Sequence, residues 1–345
     1  MGLFTSTRHT DPPPDAPTEG GTASAASAPV DMSVTLAGVT LPSPMMTASG
    51  CAANGQELAR FFDLRELGAF VTKSVMAEPR SGRGTPRMAE TPSGMLNSIG
   101  LQGPGIHAFV DKDLAWLKAQ GARALVSIAG NTSGEFADVA GILRASPAFD
   151  AVVGVEVNIS CPNVANRGLV FACDPMASAK VIALVREQLP RDVPIFAKLT
   201  PDVTDIVSVA QASVKAGADG LTMINTLLGM VIDTDRLRPQ VAGVTGGLSG
   251  PAVRPVAVRA IWQTRAAMRE GRLPTVPIIG VGGVRTGRDA LELVAAGASA
   301  VQVGTATFND PGAPVRVGRE LRDLLRDKGF ERFTDAVGVA HERMA

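Results

Sequence analysis

Histidine, cysteine and long apolar runs are all scarce in this chain, and each scarcity closes off a class of chemistry. The three histidines, His9, His107 and His341, stand in no motif-like context, so histidine-based catalysis is not expected. The three cysteines, Cys51, Cys161 and Cys173, have no paired spacing. They point to a reducing, cytoplasmic compartment rather than a disulfide framework, and they are too few to ligate an iron–sulfur cluster. No metal site is expected. No window reaches the ~18 apolar residues of a membrane helix, and the longest runs, around VVGVEV and VPIIGV, are strand-sized. Neither sign of charge is in excess: 33 basic residues balance 33 acidic ones, which argues against a nucleic-acid backbone as partner.

What is present is a chain of 345 residues, 45% of them hydrophobic, long enough for one large barrel or two ordinary domains. Residues 1–32 (with DPPPDAPTEGGTASAASAP) lack apolar periodicity and read as a disordered tail. They hold no basic stretch followed by an apolar core, so no secretory signal is expected. Residues 33–345 read as one folded unit.

From residue 44 a short apolar or β-branched run repeatedly ends in small polar residues and gives way to a helical pattern. Eight such ends are present: PMMTASG (44–50), AFVTKS (69–74), ALVSIAGN (124–131), VVGVEVNIS (152–160), VPIFAKLT (193–200), GLTMINT (220–226), VPIIGVGG (276–283) and AVQVGT (300–305). The helical stretches between them include GQELARFFDLREL and DKDLAWLKAQG, and a capping box is expected at Thr132-Ser133-Gly134-Glu135. Strands alternating with helices imply a parallel sheet, and eight units match a (β/α)₈ TIM barrel. A doubly wound open sheet would carry its glycine-rich turn after the first strand, whereas here the glycines follow the seventh and eighth. The connections after strands two, four and six are long, as expected of loops covering a ligand at the carboxyl-terminal mouth.

In such a barrel the carboxyl ends of the strands carry the chemistry. Gly282-Gly283 and Gly304-Thr305 occupy the usual phosphate position, where glycine lets backbone N–H groups approach an anion. Lys198 falls inside an apolar strand. It either pairs with a buried acid, for which Glu156 on the neighbouring strand is a candidate, or faces an electron-rich ring that gains negative charge. Lys73 is a second inward cation. Asn97, Asn131, Asn158, Asn163 and Asn225 can together read a ring bearing alternating N–H and C=O groups. Alternation puts Glu156, Asn158 and Ser160 on the inner face of strand four, with Cys161 just past its end. Local context leaves Cys161 either an inert small residue or, with a thiol pKa near ~8.5, a general base.

NISCPN (158–163) resembles the catalytic-loop motif of class 1 dihydroorotate dehydrogenases. AETPSGMLNSIGLQGPG (89–105), GLTMINTLLGM (220–230), TGGLSGPAVRPVA (245–257), PIIGVGG (277–283) and AGASAVQVGT (296–305) resemble that family in order and spacing. The resemblance implies an FMN-containing barrel that oxidises dihydroorotate to orotate in pyrimidine synthesis. Cys161 would take the C5 proton and hydride would pass from C6 to flavin N5. It implies substrate contacts at Lys73, Asn97, Ser98, Ile99, Gly100, Leu101, Asn158, Asn163, Asn225 and Thr226. Flavin contacts are implied at Ser49, Lys73, Ser74, Asn131, Asn158, Lys198, Ile224, Gly250, Gly282, Gly283, Gly304 and Thr305, with Lys198 stabilising charge near N1 and O2.

NSIGLQ, NISCPN and INTLLGM look closest to the subclass B catalytic subunit, which works with an FAD and [2Fe–2S] protein that passes electrons to NAD. This chain lacks the cysteines for that relay, so it would belong to a partner subunit; a homodimer of this chain is also expected. A fumarate-reducing subclass A enzyme and a dihydropyrimidine (dihydrouracil) dehydrogenase are the alternatives. The chain departs from the family after Ala48-Ser49-Gly50, where Cys51-Ala52-Ala53-Asn54 replaces the usual Thr-Phe-Gly.

Overall fold

The computed structural model describes residues 29–160 and 171–342. Eight parallel strands form one sheet: β1 (Met45–Thr47), β2 (Phe70–Val71), β3 (Ala124–Ile128), β4 (Val152–Val157), β5 (Ile195–Leu199), β6 (Gly220–Met223), β7 (Ile278–Val281) and β8 (Ala300–Val303). Each strand pairs with its sequence neighbours, and β8 pairs with β1 in register Gln302↔Met46. A parallel bridge Met46↔Ala69 closes the ring, reinforced where Thr47 Oγ1 donates to Val71 O and accepts from Val71 N. The expected TIM barrel is the fold.

The barrel interior changes character along its axis. At the amino-terminal end Met46, Phe196 and Ile279 meet Leu36, Val39 and Leu41 of an antiparallel hairpin that plugs the floor. One layer higher the inward residues are polar, Glu156, Lys198 and Gln302, all nearly fully buried. Val155 and Val157 join the outer core under the helices, as alternation along β4 requires. Val30 and Met32 are already buried, and Asp31 bridges to Arg332, so packed chain begins slightly ahead of residue 33.

Two local expectations are revised. GQELARFFDLREL forms two short 3-10 turns, Leu58–Arg60 and Leu64–Glu66, rather than one helix; Asp63, extended at φ −73 and ψ 120, interrupts the run and caps the second turn through Arg65 N. At Thr132 the hydroxyl accepts from Glu135 N, but the Glu135 carboxylate reaches back to Asn131 N and Nδ2 instead of closing a capping box. The reciprocal box forms at Thr286 and Asp289.

The connections after β2 and β6 fold over the mouth as one antiparallel sheet. Leu227–Gly229 pairs with Gly246–Ser249, which pairs with Gly94–Asn97, which pairs with Met88–Thr91. Two loops distant in sequence therefore share one cover. Gly247 is required there: a Cβ would stand 2.0 Å from Thr226 Oγ1.

Candidate active site

Between the barrel mouth and this cover lies a cavity of roughly 970 Å³. Its wall brings together Ser49, Lys73, Ser74, Asn97, Ile99, Gly100, Leu101, Asn158, Lys198, Ile224, Asn225, Thr226, Gly250, Gly282, Gly283, Gly304 and Thr305. Ser98 and Asn131 stand back from it. Ser98 is fully buried and accepts from Arg83 at 3.4 Å; Asn131 Oδ1 accepts from Arg80, itself a wall residue, at 3.4 Å. Cys161 and Asn163 lie outside the described residues. The strand leading to them ends at Val157, and the described chain continues to Ser160, which is fully buried.

Lys198 meets the buried acid. Its Nζ donates to Glu156 Oε1 at 3.2 Å and to Ser49 Oγ at 2.8 Å, so the pairing with a buried acid is the one formed, and Lys198 also lines the cavity. The carboxamides are themselves pinned. Asn158 Nδ2 donates to Ser74 Oγ at 2.9 Å, while Asn225 Nδ2 donates to Ser160 Oγ at 2.8 Å. Asn97 Nδ2 donates to Gly247 O at 3.2 Å within the cover sheet.

The glycine ends form a close-walled cradle. Gly283 has φ +73, and a Cβ there would stand 2.6 Å from Arg254 Cβ and 2.9 Å from Gly250 O. Thr305 Oγ1 donates to Ser249 Oγ at 2.8 Å, tying the end of β8 to the cover. Cys51 also lines this region; burial pushes its thiol up to about 11 despite the opposing pull of Lys73 and Lys198, so it remains protonated at neutral pH.

Sequence reasoning missed several wall residues. Gln302 left a signal, an amide within the apolar run AVQV. Arg80, Glu90, Arg285 and Phe308 left none: Glu90 sits on the cover strand Met88–Thr91 and Phe308 on the 3-10 turn Thr305–Phe308, and their approach to the mouth, like that of Arg80 and Arg285, depends on the fold.

The model of the family described as dihydroorotate dehydrogenase matches residues 31–325. The chain belongs to the dihydroorotate dehydrogenase family. It is 47% identical over 309 residues to the dihydroorotate dehydrogenase B (NAD(+)) catalytic subunit of Geobacter sp. (strain M21), covering 90% of this chain and 98% of that one. The same identity and coverage hold for the protein of that name from Geobacter sulfurreducens. The crystal structure of DHODH in complex with ferulenol from Eimeria tenella matches with a TM-score of 0.73 at 23% identity, over 90% of this chain and 89% of that one, a likeness of fold. Among the described residues no helix is long and apolar enough to cross a membrane.

Proposed function

We propose that this member of the dihydroorotate dehydrogenase family is an FMN-dependent catalytic subunit that oxidises dihydroorotate to orotate in pyrimidine synthesis, with electrons passing to NAD through a separate subunit. The observation that carries the proposal is the single cavity wall that joins the glycine cradle of β7 and β8 to two lysines and to the carboxamides of Asn97, Asn158 and Asn225.

The wall suits FMN. The cradle, with Gly250, Gly282 and Gly283 all at positive φ, admits a phosphate where side chains would collide. Lys198 supplies a fixed cation toward the ring, and Ser49 and Ser74 supply hydroxyls. Bound FMN would supply the hydride acceptor. Lys73, Asn97, Asn158, Asn225 and Thr226 would hold the carboxylate and ring amides of the substrate, with Asn163 completing the set. Cys161, one residue past the pinned Ser160, would take the C5 proton as general base. The cover sheet excludes water from the reacting atoms.

In this proposal the partner carries FAD and a [2Fe–2S] cluster, for which this chain has no ligand set, and the chain itself assembles as a homodimer in the cytoplasm. The purified protein is expected to be yellow and to bleach when dihydroorotate is added anaerobically, with dihydrouracil much slower. A colourless protein that takes up no FMN overturns the proposal, and so does an FMN-loaded protein that dihydroorotate leaves oxidised.

A further inference from the structure

Glu156 and Gln302 sit inside the barrel directly under the cavity, with no part in the chemistry above. Glu156 is 0% exposed. Its Oε1 accepts from Lys198 Nζ at 3.2 Å and its Oε2 from Gln302 Nε2 at 2.9 Å. Lys198 is 3% exposed and gives its second hydrogen bond to Ser49 Oγ. Among the described residues, that leaves one of its three N–H donors for the cavity. Gln302 lines the same cavity, and its Oε1 is buried without a partner among the described residues.

A buried ion pair is a poor stabiliser. Desolvating both charges offsets most of their attraction, and apolar side chains of similar volume commonly serve as well or better. This barrel uses apolar residues at its floor, yet places the pair, with its amide, in the layer that touches the cavity. The arrangement makes physical sense if the cation must be held still and its charge tuned.

We infer that Glu156, held by Gln302, is a positioning residue: it fixes the Lys198 ammonium at the cavity wall and offsets part of its charge, and thereby sets the reduction potential of the bound flavin. The inference rests on the cavity holding FMN, as proposed above. Reduction adds negative charge to a flavin, and a cation in the wall favours that state; a carboxylate behind the cation opposes it. Glu156→Gln keeps the volume and an acceptor for Lys198 but removes the negative charge, so the potential rises. Gln302→Leu removes the N–H that shares the carboxylate's charge, so the potential falls.

The test is the midpoint potential of the full-length FMN-loaded chain and both variants, by dye equilibration, alongside FMN titration by fluorescence quenching and thermal melting. Reduced FMN is expected to gain about tenfold in affinity over oxidised FMN in Glu156→Gln, a rise of about 30 mV for the two-electron couple. Gln302→Leu is expected to shift the potential downward by a smaller amount. A structural role alone would lower the melting temperature and leave the potential in place, which overturns the inference, as do shifts of both variants in the same direction. If Glu156→Gln does not fold, Gln302→Leu decides alone: a fall supports the inference, and no change or a rise overturns it. Failure of both to fold assigns the cluster to the core and overturns it too. A wild-type chain that binds no FMN overturns the cavity assignment together with the inference, whereas normal FMN binding with the wrong potentials overturns the inference alone.

Discussion

Asn225 Nδ2 stands 2.8 Å from Ser160 Oγ and so ties the second residue after β6 to the residue immediately before Cys161. Ser160 Oγ donates to Asn158 Oδ1 at 3.0 Å, Asn158 donates to Ser74 Oγ at 2.9 Å, and Ser74 shares a 2.9 Å hydrogen bond with Ser127. The ends of four strands are joined by one buried polar chain. Its members are hydrogen-bonded to one another, so the start of the Cys161 segment is launched from a rigid platform.

Asn225→Leu would leave Ser160 Oγ and Ser160 O without this donor. Stranding buried acceptors costs about 1–3 kcal/mol of stability. Urea unfolding is expected to show that loss, and flavin reduction by dihydroorotate to slow at least tenfold while FMN stays bound. Wild-type stability and rate together would refute the platform.

Cys161→Ser replaces a thiol, a group that in free cysteine titrates near ~8.5, with a hydroxyl that stays protonated throughout the working range. A general base contributes about 10²–10⁴-fold. Anaerobic stopped-flow at pH 7 is expected to show flavin reduction about 100-fold slower or more, with FMN content unchanged; an unaltered rate removes Cys161 from the role of base.

Gly283→Ala forces a Cβ to 2.6 Å from Arg254 Cβ at a residue with φ +73. With Gly250 O also only 2.9 Å from that Cβ, the turn or the start of the preceding helix, Arg254–Arg269, must shift. FMN affinity is expected to fall at least tenfold, read by fluorescence titration, with a lower melting temperature. Undiminished FMN binding would show that this turn is no part of the cradle.

Burial raises the Cys51 thiol from 9.0 to about 11. Its neutral form is favoured in the folded chain, so the stabilisation is fully present below pH 9 and is lost as pH rises toward 11. On the order of 1–3 kcal/mol should disappear across that window, and Cys51→Ala should flatten the loss. Peptide mapping after iodoacetamide treatment at pH 8 is expected to find exposed Cys173 alkylated ahead of Cys51, and FMN to protect Cys51 further. Equal labelling of the two would contradict the raised thiol pKa.

Much of the architecture was legible because it follows from local rules. Eight apolar runs ending in Ser49, Lys73, Asn131, Asn158, Lys198, Asn225, Gly283 and Thr305 mark the strands and one chemical face, since a parallel strand buried on both sides needs an unbroken apolar run and its carboxyl end opens onto the mouth. Phe61-Phe62-Asp63 misled the helical pattern because a single capping aspartate restarts the chain. Glu135 misled the capping box because Asn131 offered its carboxylate two donors in place of one.

By itself, then, the sequence determined the barrel, its polar mouth and the order of the family's motifs, all properties of periodicity and strand-end composition. Only the tertiary structure decided that Lys198, Glu156 and Gln302 form one buried cluster, and that Gly94–Asn97 and Gly246–Ser249 share a cover sheet. Those contacts join residues more than a hundred positions apart in several cases. They depend on barrel closure and strand register, which bring distant side chains within hydrogen-bonding reach; the local pattern offered Glu156 as a candidate partner for Lys198 but could not show that Gln302 joins them or that the two cover loops pair.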